Sequence, residues 1–379
     1  MDADGRLIVA GQCVRCGVEA RNASRLAVWR FSGSTLALDT SFGTGGVALD
    51  PNPQSRALSE ALGGFVDRQG RLLIFGYETV AGANSDALLV RLTSNGALDT
   101  TFAANGRLSL TRARLGAARG VFAFAAASDE RGYTVLVNDG GQWSRESQGA
   151  WAVRVTEAGA LDESFGERGG AGLGDVEGCF DLEADGGDFV LACMSPQSQP
   201  QLLRLDGSGR LRAWPSGARG VAEQSPRRFE VRALGRDSLG GWVVSGAVSP
   251  TYADGSSTAV SVRFSQDGAQ DLAFGFGGIS VVLGLRSTFA FSFSGLATTT
   301  CEDRLVVGGN IQAVPAVSFS DGDGRVMTGL GELGTVLLPP SGTVAAVAAV
   351  LRGARDNDLL VVASHASPST ISLHRLLLQ

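Results

Sequence analysis

The sequence predicts an all-β fold, a β-propeller of about seven four-stranded blades with an incomplete N-terminal blade. Three observations carry this expectation. A segment of the type Leu-Asp-x-x-Phe-Gly recurs at 38–43, 98–102, 161–166 and, with Gln at its head, at 270–275. The Asp residues 39, 99 and 162 of these copies lie 60 and 63 residues apart, and Asp271 follows 109 later, about two further steps. Glycine is abundant at 53 against 11 prolines, which suits many short strands joined by turns.

Each repeat offers four strand candidates. The first ends in a polar Asp/Gly turn. The second is an apolar run ending in a small residue, expected at 6–11, 71–76, 133–138, 189–193, 242–246, 305–309 and 359–364. The third mostly ends apolar-Arg-apolar, around Arg30, Arg91, Arg154, Arg204 and Arg263, with Ser318 and Arg375 completing the set. A turn, the Leu-Asp-x-x-Phe-Gly segment and a short strand follow, for example at 46–49, 106–110 and 278–283. The copies around Arg212 and Met327 are degenerate. Radial closure of such units protects their strand edges; an open stack of β units is the alternative, and it needs caps that the sequence does not display.

The expected repeats of one propeller domain, 1–379, run approximately 1–50, 56–111, 117–174, 175–224, 227–283, 287–340 and 342–379. These are long for blades, so 77–86 and 139–149 are expected to be long loops. Counted from each strand after Phe-Gly, there are six complete blades and an N-terminal half-blade of two strands, with the C-terminal blade complete. The expectation is then that Met1 is not the natural start, two strands and room for a secretion signal lying upstream.

The repeat core, preceded by an apolar-Arg-apolar strand and followed by an Asp-Gly hairpin, resembles the delta-60 repeat family of bacterial β-propeller-like proteins. The resemblance covers nearly the whole chain. It is strongest around Asp39, Asp99, Asp162 and Asp271, and weak around Arg212 and Met327. It implies a propeller scaffold of large surface or secreted bacterial proteins, without a common activity, so no catalytic residue is carried over.

The repeated Asp invites a catalytic reading, but its spacing to the preceding Arg argues for structure. Arg91–Asp99, Arg154–Asp162 and Arg263–Asp271 are eight residues apart and Arg30–Asp39 nine, and in the sixth copy both are replaced, by Ser318 and Met327. A charge-assisted pair tying strand to turn explains the joint loss. The fourth copy breaks the pattern by keeping Arg204 with Arg212. Phe42, Phe102, Phe165 and Phe274 are expected as core anchors between blades.

Cys179 and Cys193 sit seven residues either side of Gly186, a hairpin centre, and are expected to face each other at disulfide distance. Cys13-Val-Arg-Cys16 lacks the second pair or histidines of a zinc site, the two His being His365 and His374, and lacks a redox βαβ setting. A loop disulfide or two free thiols remain open there, and Cys301 is expected as a small buried side chain. His374 alternates with apolar residues and is expected to pack; His365 lies in a polar turn. Asp321-Gly-Asp-Gly and Asp2-Ala-Asp-Gly look faintly like calcium loops but lack the further ligands. Asn22 heads an Asn-Ala-Ser glycosylation pattern. No motif calls for a catalytic residue, cofactor or metal.

Hydrophobic residues make up 44% of the chain and charged ones 18%, enough for a large core. A net charge of −6 argues against nucleic acid as partner. All 32 basic residues are Arg, which either coding bias or selection for planar bidentate pairing explains. No apolar run reaches roughly 18 residues, so membrane insertion is not expected. Met1-Asp-Ala-Asp-Gly is not a signal-peptide start. The expected function is a monomeric, non-catalytic scaffold or binding module, extracellular, periplasmic or on the cell surface, contacting protein or glycan through rim loops. The rival is a propeller enzyme of hydrolase or lyase type with its site at a central channel mouth.

Overall fold

Apolar residues alternating with small or polar ones, broken by Gly-containing turns, make this chain a succession of antiparallel meanders. The computed structural model describes residues 1–14, 24–51, 57–80, 84–117, 120–140, 149–225, 229–237, 239–248, 257–287, 296–297, 304–311, 314–331, 334–339, 345–352, 358–366 and 369–377. The first sheet holds β1 (Leu7–Val14), β2 (Ser24–Phe31) and β3 (Val47–Leu49). The second holds β4 (Ala57–Val66), β5 (Leu72–Val80), β6 (Ser85–Leu92) and β7 (Arg107–Leu110). A one-turn helix α1 (Arg112–Leu115) leads to β8 (Val121–Asp129), β9 (Gly132–Asp139), β10 (Ala150–Val155) and β11 (Gly170–Gly172). Next come β12 (Gly178–Asp185), β13 (Asp188–Met194), β14 (Pro200–Leu205) and β15 (Leu211–Arg212). The fifth sheet is β16 (Phe229–Arg236), β17 (Trp242–Val248), β18 (Ser257–Phe264) and β19 (Ile279–Ser287). The sixth is β20 (Leu296–Ala297), β21 (Leu305–Ile311), β22 (Val314–Ser320) and β23 (Thr335–Leu337). The last holds β24 (Ala345–Arg352), β25 (Asp358–Ala366) and β26 (Ser369–Leu377).

Within each sheet, strands neighbouring in sequence are neighbours in space, and the described strand pairs run antiparallel, as in Val90–Arg107 and Val153–Gly170. This is the all-β propeller architecture of tandem four-stranded blades. The count differs from the expected seven four-stranded blades. The propeller has six blades of mostly four strands rather than seven; among the described residues five sheets have four strands, and the first and last have three. Among the described residues β24–β26 form a three-stranded sheet, since β23 pairs with β22 instead of joining them, where the sequence suggested four strands for the C-terminal blade.

The reason lies in the turn after Phe-Gly. Gly43, Gly45 and Gly46 all take positive φ, 56°, 62° and 95°, and fold β3 straight back onto β2 rather than onward into a new blade. The short strand therefore closes its own sheet, and the first sheet has three strands rather than two. In the degenerate fourth copy this closing contact shrinks to the single bridge Gln201–Val221.

The core is layered between successive sheets. Leu26, Val28 and Phe42 of the first repeat pack with Leu72, Ile74, Leu88 and Val90 of the second. Leu73, Phe75 and Phe102 of the second pack with Tyr133, Val135 and Val153 of the third. The same pattern joins β17, β18 and Phe274 to β21, and β21 and β22 to β25. The chain divides into two compact units, Met1–Val190 with Leu205–Leu211, and Leu191–Arg204 with Arg212–Gln379. The candidate site lies wholly within the first. Among the described residues, no helix is long and apolar enough to cross a membrane.

Candidate functional site

The motif residues form a staple between one repeat and the next. Asp39 N–H donates to the Arg30 carbonyl at 2.8 Å, and Asp99 N–H to the Arg91 carbonyl at 2.9 Å, which sets each carboxylate under its arginine. Arg30 Nε then donates to Asp39 Oδ2 at 2.7 Å, Arg91 Nε to Asp99 Oδ2 at 2.8 Å, and Arg263 Nε to Asp271 Oδ2 at 2.8 Å. The other carboxylate oxygen of each Asp caps the turn, accepting from the amide of Ser41, Thr101 or Ala273. Each guanidinium lies over its motif ring: Arg30 on Phe42 at 4.8 Å, Arg91 on Phe102 at 4.6 Å, Arg263 on Phe274 at 4.9 Å.

The free end of each arginine reaches the next repeat. Arg30 donates to the Ser94 carbonyl at 2.6 Å, Arg91 to that of Glu157, and Arg263 to that of Gly322. The turn glycine beside that carbonyl must be glycine. At Gly96, with φ at 86°, a Cβ would stand 2.8 Å from the Gly43 nitrogen and 2.9 Å from the Phe42 ring.

The third copy departs. Arg154 is buried and contacts Asp129, at 3.0 Å, rather than Asp162, with Phe165 and Phe189 at 5.0 and 5.5 Å. Asp162 is held by Ser164, whose hydroxyl and amide draw its carboxyl below the usual range. The carbonyl of the next repeat, Gly207, is taken instead by Arg131 at 3.1 Å. In the fourth copy Trp214 stands in for the Phe, its indole lying against Gly268 of the following turn. In the sixth, Ser318 replaces Arg and shares a hydrogen bond with Thr335 at 2.6 Å.

The third copy also opens a cleft of about 1060 Å³ in the first unit, and repeat-by-repeat comparison shows why. On β10, Trp151 stands where the other copies have Ala27, Leu88 and Val260. Its cross-strand partner is Gly172, where those copies pair Leu49, Ser109 and Val281. Gly170 likewise replaces Val47, Arg107 and Ile279. A large residue has entered one strand while its neighbour lost all side chain, so the half-buried indole has an uncovered flank. Leu115 and Leu161 extend this apolar floor.

The wall is charged. Arg168 occupies the position of Gly45, Asn105 and Gly277, all at φ between 54° and 62°, and itself has φ 54°. Left-handed backbone costs a side-chain-bearing residue about 1–2 kcal/mol, less for Asn, and such strain persists mainly where function uses it. Arg210 occupies the position of Ala97, Ala160 and Ala269, and of Arg325 in the sixth repeat. Arg114, from the helix inserted after β7, is the third basic group, and Glu163, Glu167, Ser164 and Ser208 complete the polar lining. Arg114, Arg168 and Arg210 make no ion pair among the described residues.

Leu161, Glu163 and Ser164 belong to the motif copy at 161–166, whereas Trp151, Arg168, Gly170, Gly172 and Arg210 lie outside it. The signal available was departure from the repeat at aligned positions, which becomes readable only once the strands are in register.

A second pocket, of about 250 Å³, is lined by Asp67, Arg71, Tyr133, Asp129 and Glu157 among others. Its polar groups are spent on one another. The Tyr133 hydroxyl donates to Asp67 Oδ2 at 2.8 Å and accepts from Arg71 at 3.1 Å and Arg91 at 3.3 Å. Burial and the Asp67 contact push the phenol up, so it stays protonated and is poorly suited as a base.

Cys179 and Cys193 are joined in a disulfide across the β12–β13 hairpin. Cys13 is also disulfide-bonded; Cys16 and Cys301 lie outside the described residues, as does Asn22. His374 Nε2 shares a hydrogen bond with the Ser372 hydroxyl at 2.9 Å. Among the described residues no group of three or more His, Cys, Asp or Glu is arranged to hold a metal ion.

A family model described as a domain of unknown function (DUF5122) beta-propeller matches residues 70–102, which span β5, β6 and the Leu98–Phe102 motif copy. No curated protein matches the chain. Among solved structures, the chain is similar to the Nup133 β-propeller domain of Vanderwaltozyma polyspora, with 7% identity, TM-score 0.48, and coverage of 93% of this chain and 91% of that one. Prolyl oligopeptidase B of Galerina marginata is similar at 13% identity and TM-score 0.48, over 98% of this chain and 49% of the enzyme. A polysaccharide lyase of family PL25, an ulvanlyase, is similar at 14% identity and TM-score 0.42, over 100% of this chain and 77% of that one.

Proposed function

We propose that this chain is a non-catalytic binding module of a bacterial surface or secreted protein, seating a protein or glycan in the third-repeat cleft. One observation carries the reading. The first, second and fifth copies carry Leu49, Ser109 and Val281 on the closing strand and Gly or Asn at the left-handed turn position, whereas this copy has Gly172 beside an opened indole and places Arg168 on the left-handed residue. A repeat with no task of its own gains nothing by this exchange. The disulfide-bonded Cys13, Cys179 and Cys193 favour an oxidising compartment, which fits the delta-60 resemblance of the motif.

The test is a glycan and peptide array probed with the wild type and with Gly172→Leu, which restores the residue of the first repeat and covers Trp151. Loss of the wild-type signals in the variant supports the reading. Signals unchanged by Gly172→Leu place the binding surface elsewhere. Turnover of an array component, seen as new reducing ends or cleaved peptide, replaces the reading with the enzymatic one.

A further inference from the structure

We infer that the ligand of the cleft is an anionic carbohydrate, a uronate- or sulfate-bearing chain whose sugar ring stacks on Trp151 while Arg168 and Arg210 hold its charged groups. This rests on the reading of the cleft as a binding site and specifies its ligand class. An indole presents a flat face of negative quadrupole, which suits the outward C–H bonds of a pyranose ring. With Gly172 opposite Trp151 and Gly170 two residues along the same strand, no side chain obstructs a flat ring laid there.

The charge argument is independent of the stacking argument. Arg168 and Arg210 are exposed, their guanidiniums make no ion pair among the described residues, and they line the same cleft as the indole. A guanidinium fork matches a carboxylate or sulfate with two parallel N–H donors, and charge-assisted bonds of this kind are the strong ones. Arg168 stands where other repeats have Gly or Asn and is held there against its backbone preference, and Arg210 stands where three repeats have Ala and the sixth has Arg325. Glu163 and Glu167 on the same wall, and the lone pairs of the Ser164 and Ser208 hydroxyls, which donate to Asp162 and Asp206, are suited to accept from the neutral hydroxyls of a sugar.

The experiment is calorimetric titration with three probes: a tetragalacturonate, its carboxyl-reduced neutral counterpart, and a tetraglutamate peptide. The proteins are wild type, Arg168→Gly, Arg210→Ala and Trp151→Ala. The two arginine replacements are residues that other repeats carry at those positions, so folding is preserved even if Trp151→Ala weakens the core. The expected result is that tetragalacturonate binds the wild type. Each arginine replacement weakens it by roughly 10-fold, and the neutral counterpart binds at least as poorly. Equal binding of the neutral sugar, unaffected by the arginine changes but lost in Trp151→Ala, overturns the anionic assignment and leaves the cleft as the binding site. Tetraglutamate binding as tightly as the sugar overturns the carbohydrate assignment. Tetragalacturonate binding that none of the three replacements changes overturns the cleft reading itself, and the absence of sugar binding up to millimolar concentration overturns the ligand class.

Discussion

Arg91 is the most heavily used of the staple arginines, and Arg91→Met tests what the staple is worth. The side chain is 1% exposed and holds five partners at once: Asp99, Thr101, Tyr133, the Glu157 carbonyl and the Phe102 ring. Methionine keeps much of the volume and none of the donors. Asp99, itself only 7% exposed, is left as a buried carboxylate without its cation, and the Glu157 carbonyl loses its donor. Removing one partner of a buried pair costs about 3–5 kcal/mol. The Phe102 contact adds roughly 0.5–1 kcal/mol. We therefore expect a loss of about 4 kcal/mol, or on the order of 10 °C in the melting transition of a unit this size.

The pair also leaves a mark in pH. Burial pushes the Asp99 carboxyl up, but the hydroxyl and amide of Thr101 together with Arg91 outweigh this and leave it below its ordinary value. A carboxyl with a depressed folded value stabilises fully above its unfolded value of about 4 and loses that contribution as pH falls through the folded one. Without Arg91 the folded value rises, so the acid unfolding midpoint of the variant should move to higher pH. Urea titrations followed by circular dichroism at pH 7 and pH 3.5 read both effects. A loss below about 1 kcal/mol at pH 7, equal at both pH values, would refute the staple as a source of stability.

The remaining expectations follow from the same geometry. Arg154→Met should cost distinctly less than Arg91→Met in the same titrations, because Arg154 already has Nε and one terminal nitrogen without acceptors, and its partner Asp129 is a quarter exposed. Arg168→Gly should raise thermal stability by about 0.5–1 kcal/mol, since Gly occupies φ 54° without the penalty that Arg bears there but loses more chain entropy on folding; a lower melting temperature would show that no strain is stored. Reducing the Cys179–Cys193 bond should cost roughly 3 kcal/mol for a closed loop of about 15 residues, read as an earlier urea midpoint for Cys179→Ala/Cys193→Ala.

The period of Asp39, Asp99, Asp162 and Asp271, the apolar-Arg-apolar strands and the Gly-bearing turns are local signals, and they locate strands because side-chain alternation and positive φ are decided within a few residues. The disulfide hairpin is similarly local, as Cys179 and Cys193 lie equidistant from Gly186. What tertiary structure decided is pairing and use. The number of four-stranded blades turned on whether β3 folds back onto β2 or starts a new sheet, a choice made by the positive φ of Gly43, Gly45 and Gly46, which the sequence pattern does not order. Arg154 turns to Asp129, rather than Asp162, because a charge takes the carboxylate that packing brings nearest. The cleft arises because Trp151 meets Gly172 across a register 21 residues apart in sequence, and a side chain's exposure depends on the neighbour that the fold supplies.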